Sequence, residues 1–441
     1  MKNKIPNNVK SIAAILSQHN FKSWLVGGSV RDILLNKSCH DYDLCSDAKP
    51  EDIIRIFPKV IPTGIKHGTV TIIFNEEQYE ITTLRGEASY QDGRHPDEVK
   101  FINSIEEDLA RRDFTINSIA YDIANDKLVD PFNGLNDLNN KIIKTTGNAS
   151  DRLSEDGLRL LRAIRFSTTL NFDIESNTLN AIKQNKDLIR KVSLERVRDE
   201  MLKAMMADKP SKFFNLMLDT GLLEIIIPEF MASVGCTQNK YHQFDVWNHS
   251  LVSLDSSEKD PILRMAILLH DIGKPEVKTY NELTNDYNFL GHEVNGATIA
   301  EVILNRLKFS NKEISRIVMI IRNHVILYDY SWSDAALRRW VKKVGYENVN
   351  DLFNMMHADI LGKGDKANLA GYNHFRSRIF EPKIAVVNTP LAINGNDIMV
   401  RFNLLPGKEV GTLLKLANAK VEEDPTCNEK EFLLNYLINV N

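Results

Sequence analysis

Apolar residues change their spacing near residue 150, and this restricts the chain to a small mixed head followed by a long helical body. Before that point β-like and helical patterns alternate. Ser23 to Val26 reads as a strand, which leads through Gly27-Gly28-Ser29 into a helix over Val30 to Leu35. Thr69 to Phe74 and Gln78 to Thr83 are rich in β-branched and apolar residues and flank the polar turn Asn75-Glu76-Glu77, which predicts a strand pair. Lys127 to Pro131 predicts one more short strand. From about Ser150 the spacing is helical: Leu158, Leu161, Ile164 and Arg165 recur at helical intervals, as do Leu216, Leu218, Leu222 and Leu223. The expected fold class is α+β. The expected divisions are 1–140, 141–205, 206–365 and 366–441, with turn-like joints near Gly147, Cys236 to Gln243 and Gly362 to Asp365.

A chain of 441 residues is too long for one ordinary domain, and 43% hydrophobic with 26% charged residues is a globular composition. The formal net charge of −4 excludes a uniformly basic nucleic-acid binder, so any such surface is a local patch. Cys39, Cys45, Cys236 and Cys427 form no CxxC pair, which argues against a thiolate zinc site and fits a reducing, cytoplasmic setting. The polar first ten residues carry no signal core, and no apolar run is long enough to span a membrane.

The head carries the first chemistry. Gly27 and Gly28 let a phosphate chain approach the backbone at a helix start, and Arg31 adds a cationic fork. A glycine turn has a plain structural use too. Asp41-Tyr42-Asp43 follows. In a strand, residues two apart share a face, so Asp41 and Asp43 would aim two carboxylates at one spot. Divalent cations relieve the repulsion, and Mg²⁺ suits such oxygen ligands. The pair then activates a hydroxyl and neutralises leaving pyrophosphate. Glu80 is either a third such carboxylate or an exposed strand residue.

Val26-Gly27-Gly28-Ser29-Val30-Arg31-Asp32 followed by Asp41-Tyr42-Asp43 resembles the nucleotidyltransferase head of the DNA polymerase β superfamily. Leu109-Ala110-Arg111-Arg112-Asp113-Phe114-Thr115-Ile116-Asn117 narrows the resemblance to the class II branch, which holds bacterial CCA-adding enzymes and bacterial poly(A) polymerases. The resemblance implies that Arg112 contacts the incoming nucleotide and that Asp113 and Asn117 hold its ribose. Asp130-Pro131-Phe132-Asn133-Gly134 matches a further motif of this branch, with its glycine and proline structural. Ser118 departs from the alanine more common there.

The stretch Ser154 to Phe166 follows as a helical neck. Asp156, Arg159, Arg162 and Arg165 fall three apart, a drifting stripe along a helix. Such a stripe could be an exposed salt-bridged face. It could also read bases: cytosine and adenine both pair an amino donor with a ring-nitrogen acceptor, which a carboxylate and a guanidinium complement. Uracil and guanine have the opposite polarity and would leave buried groups unpaired, at roughly 1–3 kcal/mol each. Glu155-Asp156-Gly157-Leu158-Arg159 matches the EDxxR motif that the family uses in this way. The resemblance assigns Asp156 and Arg159 as base readers and Arg162 and Arg165 as phosphate or nucleotide contacts. Arg152 to Lys212 carries 13 lysines and arginines against nine acidic residues, a local excess suited to a phosphate backbone. Ser193-Leu194-Glu195-Arg196-Val197 resembles the last neck motif and is expected to fix the template helix.

The resemblance implies addition of C, C and A to tRNA from CTP and ATP on Mg²⁺, with no obligatory protein partner evident. Alternatives are A-adding, CC-adding or poly(A) polymerase activity from the same head. The polar segment Arg85 to Pro96 matches a family loop tied to the switch from C to A addition; an ordinary surface loop is the other reading. Downstream, His249, His270-Asp271 and Asp359 have the order of an HD phosphohydrolase motif, and His292 and His324 fit as further ligands. A second divalent metal (Mn²⁺, Ni²⁺ or Mg²⁺) is expected there, with hydrolysis of phosphomonoesters or 2′,3′-cyclic RNA ends as its activity. Leu391 to Ile398 resembles the C-terminal segment of HD-bearing family members, which implies a tRNA-binding tail.

Overall fold

Strand β1 (Ser23–Val26) is buried throughout, with apolar Trp24, Leu25 and Val26 after Ser23, because both of its faces are covered. Alternation sends Leu25 to one core and Trp24 and Val26 to another. The computed structural model describes residues 1–39, 41–86, 100–381, 384 and 390–440. They belong to two compact units, Met1–Met231 with Arg306–Phe309, and Ala232–Asn305 with Ser310–Asn441.

In the first unit β1 is central to a seven-stranded sheet. Its other members are β2 (Leu44–Ser46), β3 (Val60–Gly64), β4 (Thr69–Phe74), β5 (Glu77–Thr83), β6 (Ala120–Asp122) and β7 (Lys127–Val129). The order is β3-β4-β5-β2-β1-β6-β7, and β2–β5 is its parallel pair, with Leu44 opposite Ile81. Leu25, Leu44, Val70, Ile72 and Ile81 pack with Ile12, Leu16, Val30 and Ile33 from the helices on one face. Helix α1 (Gly28–Leu34) begins at the glycine turn, earlier than its apolar residues suggest. On the other face Trp24, Val26 and Cys45 meet Ile105 and Leu109 of α2 (Ile105–Ala110). The sheet holds β2, β3 and β6 in addition to the strands expected from sequence; each is too short or too exposed to show a clear period. The expected strand Lys127 to Pro131 stops at Val129, where Asp130 turns the chain by accepting from the N–H groups of Gly134 and Leu135 at 2.7 and 2.8 Å.

The neck follows with α3 (Ala149–Ser154), α4 (Leu158–Leu170) and α5 (Leu194–Ala204). Leu158, Leu160, Leu161, Ala163 and Ile164 are buried, which leaves the arginines of α4 to the opposite flank. Asp156 is not on that helix. It precedes Gly157, and its carboxylate accepts from Leu158 N at 2.9 Å. Gly157 permits a close crossing: a β-carbon there would lie 2.5 Å from the carbonyl oxygen of Leu188 in the turn Lys186–Lys191.

In the second unit α6 (Val246–Asp255), α7 (Pro261–Leu269), α8 (His292–Arg306), α9 (Asn311–Asn323) and α10 (Val349–Gly362) surround the histidine cluster. Near the C-terminus, Ile393 and Ile398 are buried, and Asn394 and Asp397 form a capping box for the helix Gly395–Phe402. From residue 87 onward the expected switching loop lies outside the described residues.

Candidate active site

Asp41 and Asp43 lie in the segment entering β2, not in the strand itself. Asp43 nevertheless extends the ladder: its carbonyl accepts from Val26 N at 3.0 Å. One residue before the Leu44–Ile81 pair stand Asp43 and Glu80, both exposed. Desolvation, then the Glu80 charge, holds the Asp43 carboxyl above the ordinary range; Arg112 opposes this and Asp41 adds to it. Among the described residues, ligand atoms of Asp41, Asp43 and Glu80 do not all converge within 4.8 Å, as those of the histidine cluster do. Like charges in solvent spread apart. Asp43, with the Glu80 and Asp41 charges acting on it, offers hard oxygen ligands of the kind that suit a divalent cation.

Gly27 lets Arg112 approach these carboxylates. Its φ of +68° suits glycine, and a β-carbon there would lie 3.2 Å from Arg112 Nη1 and 3.7 Å from Asp43 Oδ2. Asp108, 1% exposed, holds Arg112 Nη2 at 3.1 Å and Arg111 Nη2 at 2.5 Å. Burial alone would raise the Asp108 carboxyl; Arg111 and Arg112 override it and hold it low. Arg31 directs three N–H groups at protein partners, two at Asp32 and one at Asn117 Oδ1 at 2.8 Å. It is therefore a brace behind the turn more than an open fork. Asn117 Nδ2 in turn donates to Asp113 Oδ1 at 3.2 Å.

The neck closes this chain of bonds. Arg162 grips Asp113 Oδ2 through Nε at 2.8 Å and Nη2 at 2.5 Å. Burial disfavours the Asp113 carboxylate, yet Arg162 brings its pKa down to about 2. Arg165 is bonded to Glu200 and stacked on Phe166, 3.8 Å from the ring centroid. The expected base readers do not pair with each other. Arg159 bonds Glu155 at 2.5 Å, and its Nη2 reaches the carbonyl of Arg111 at 3.3 Å. Asp156 is held by Arg196 at 2.6 and 3.3 Å.

In the second unit, His249 on α6, His270 and Asp271 after α7, His292 at the start of α8, His324 after α9 and Asp359 on α10 form one cluster. His270, His292 and His324 each place Nδ1 2.7 Å from a backbone carbonyl, of Ile267, Phe289 and Ile321 respectively. A carbonyl only accepts, so each Nδ1 donates, and in the neutral ring Nε2 is then a lone pair; without a cation, and against burial, Asp271 and Asp359 raise His270 to about 9. The Nε2 atoms of His292 and His324 are 3.2 Å apart, an arrangement a shared cation makes favourable. Both ring nitrogens of His249, Nε2 of His270 and both Asp271 oxygens are buried without a hydrogen bond of good geometry. Lys274 Nζ lies 2.6 Å from Asp271 Oδ2. Burial keeps His324 neutral, down at about 3. These donors fit one or more divalent metals with nitrogen and oxygen ligation.

Comparison with known proteins decides the family. The family "Poly A polymerase head domain" matches residues 23–144, "Probable RNA and SrmB- binding site of polymerase A" matches 171–233, and "tRNA nucleotidyltransferase domain 2 putative" matches 284–437. A CCA-adding enzyme of Pediococcus pentosaceus is 46% identical over 435 residues, covering 98% of both chains. One from Ligilactobacillus salivarius is 32% identical over 98% of this chain and 96% of its own. The chain belongs to the CCA-adding enzyme family. It spans about half the length of other curated relatives it matches, such as the Lactobacillus johnsonii CCA-adding enzyme, 46% identical over 50% of this chain and 56% of the relative. The structure of the Bacillus stearothermophilus CCA-adding enzyme in complex with CTP matches with a TM-score of 0.71 and 28% identity, covering 98% and 97% of the two chains. The Thermotoga maritima CCA-adding enzyme complexed with tRNA shares the fold at a TM-score of 0.57 and 20% identity.

For a member of the CCA-adding enzyme family, sequence reasoning left out the counter-ions: Asp108, Glu155, Arg196 and Glu200, and also His242 beside His249 and Asp359. Glu155 and Arg196 stood inside quoted motifs; the spacing of Glu155 to Arg152 and Arg159 was a readable signal, whereas the Asp156 partner of Arg196 depends on chain closure. No signal at the level of sequence marked His242.

Proposed function

We infer that this protein adds C, C and A in turn to the 3′ end of tRNA, from CTP and ATP, releasing pyrophosphate without a nucleic-acid template. One observation carries the reading: Arg159 of the neck bonds the carbonyl of Arg111, next to the Arg112 that crosses Gly27 toward Asp43. Base selection and phosphoryl chemistry thus meet at one motif. The full-length kinship with CCA-adding enzymes supports it.

Asp41 and Asp43, with Glu80 beside them, would hold Mg²⁺. When bound, such cations acidify the attacking hydroxyl and offset charge on the leaving pyrophosphate. Arg112, steadied by Asp108, binds the triphosphate, which approaches the backbone at Gly28. Asp113 and Asn117, braced by Arg162 and Arg31, hold the ribose. Asp156 accepts from the exocyclic amino group of C or A, and Arg159 donates to the ring nitrogen. Glu155 and Arg196 hold both readers aligned until a base shares them. The tail helices take the tRNA body.

The deciding experiment offers tRNA lacking its CCA end with CTP alone, ATP alone, then both. Two Cs followed by one A is the expected product. Long A tails or a single nucleotide type would favour the poly(A), A-adding or CC-adding alternatives, and no extension would overturn the assignment.

The buried, unbonded donors of the histidine cluster favour a second activity, that of an HD phosphohydrolase. His249, His270, Asp271 and Asp359 would hold a divalent metal that supplies an activated hydroxide at neutral pH. Phosphate release from 2′,3′-cyclic or phosphomonoester RNA ends with Mg²⁺, Mn²⁺ or Ni²⁺ tests it; no release with any of them would remove it. All four cysteines are free, and no helix among the described residues is long and apolar enough to cross a membrane, which supports work in the cytoplasm.

A further inference from the structure

We propose that His242 is a metal ligand, joining His249 and Asp359 around one cation of the histidine cluster. This rests on reading the histidine cluster as a divalent-metal centre. One ligand atom from each of His242, His249 and Asp359 lies within 4.8 Å of the others.

The tautomer of His242 follows from its neighbours. Tyr241 N donates to Asn239 Oδ1 at 3.3 Å, so that oxygen is the acceptor end of the amide. His242 Nδ1 is 2.9 Å from the same oxygen and therefore carries the ring proton. In the neutral ring its Nε2 is left as a lone pair, as in His324. Among the described residues no donor hydrogen-bonds Nε2. It shares a cluster with the Asp359 carboxylate, which is also an acceptor. A lone pair set beside a carboxylate is unfavourable unless a cation joins them. The His242 ring stands edge-on to fully buried His249, with centroids 4.9 Å apart.

The loop carrying His242 is tethered on both sides of it. Lys366 Nζ donates to the carbonyls of Lys240 and His242 at 2.6 and 2.8 Å. Asp365 N donates to Gln243 Oε1 at 2.9 Å, and Lys274 Nζ to Gln238 Oε1 at 2.6 Å. An imidazole kept for packing alone needs neither a preset tautomer nor such an anchored backbone. Two imidazoles and a carboxylate select a borderline transition metal such as Co²⁺ or Ni²⁺ over Mg²⁺.

The test uses the full chain, stripped with chelator and titrated with Ni²⁺ by calorimetry, with metal content read after dialysis. Wild type is compared with His242→Ala and His242→Gln, with His270→Ala as a control for the centre. Both His242 variants should bind one equivalent of Ni²⁺ at least about ten-fold more weakly, or lose it. Their Co²⁺ absorption spectrum should change, while tRNA extension stays at the wild-type rate and so certifies the fold. Unchanged stoichiometry, affinity and spectrum in His242→Ala, with metal lost in His270→Ala, would remove His242 and leave the centre standing. Wild type that takes up no Ni²⁺ would overturn both.

Discussion

Replacing Arg196 by alanine should loosen base selection more than it slows extension. Asp156 receives three hydrogen bonds, from Leu158 N at 2.9 Å and from Arg196 at 3.3 and 2.6 Å. The substitution removes the two charge-assisted ones. Bonds to charged groups contribute roughly 1.5–3 kcal/mol in a buried setting. Here the side chains are 25% and 17% exposed, so solvent screening places the pair at the low end, about 1.5 kcal/mol. Lost as orientation of the Asp156 carboxylate, that energy corresponds to about ten-fold in selectivity, at about 1.4 kcal/mol per decade. The assay is extension of tRNA lacking CCA, with kcat/KM measured for CTP and for UTP. The CTP-to-UTP ratio should fall about ten-fold in Arg196→Ala. It should fall less in Arg196→Lys, which keeps charge without the fork. A variant that melts at lower temperature but keeps the wild-type ratio would refute the idea that Arg196 aims Asp156.

Asp41→Ala and Asp43→Ala should each abolish extension while gel-shift affinity for tRNA persists; residual extension near wild type would exclude these carboxylates from the chemistry. Asp113 is held at about 2 against an ordinary 3.8, so its bond to Arg162 stabilises the fold fully above about pH 4 and is lost as pH falls through 2. Chemical denaturation should show wild type ahead of Asp113→Asn by about 2 kcal/mol at pH 7, with the gap closing toward pH 2; a gap independent of pH would contradict this. Gly157→Ala places a methyl group 2.5 Å from the Leu188 carbonyl oxygen and should cost about 1–3 kcal/mol in stability, read as a lower melting temperature. Unaltered melting would mean that the crossing of Lys186–Lys191 over the template turn is looser than the structure shows.

Chemistry that lies within a few consecutive residues could be read directly from the chain. The glycine turn at Gly27-Gly28, the Asp41/Asp43 pair, the run from Leu109 to Asn117 and the EDxxR match are all of this kind. So were β1, β4 and β5, whose apolar and β-branched residues run over four or more positions. The order His249, His270-Asp271, His292, His324 and Asp359 stood out too, and the fold gathers these side chains into one cluster. Short strands such as β2 and β6 were not legible, since three residues carry too little periodicity and are held in place by β1 between them. Glu155–Arg159 and Asp108–Arg112 are pairs at helical spacing, but tertiary closure decided Arg162–Asp113, Arg165–Glu200 and Arg196–Asp156. A helical stripe of Asp156, Arg159, Arg162 and Arg165 suggests internal pairing. In the fold, Gly157 breaks that helix, and each charge meets a partner 4 to 49 residues away. Burial enforces such choices: a desolvated charge must find its opposite in three dimensions, and sequence spacing says nothing about which one arrives. His242 shows the same limit, because a lone histidine in a loop acquires a role only when Asn239 sets its tautomer and His249 and Asp359 close around it.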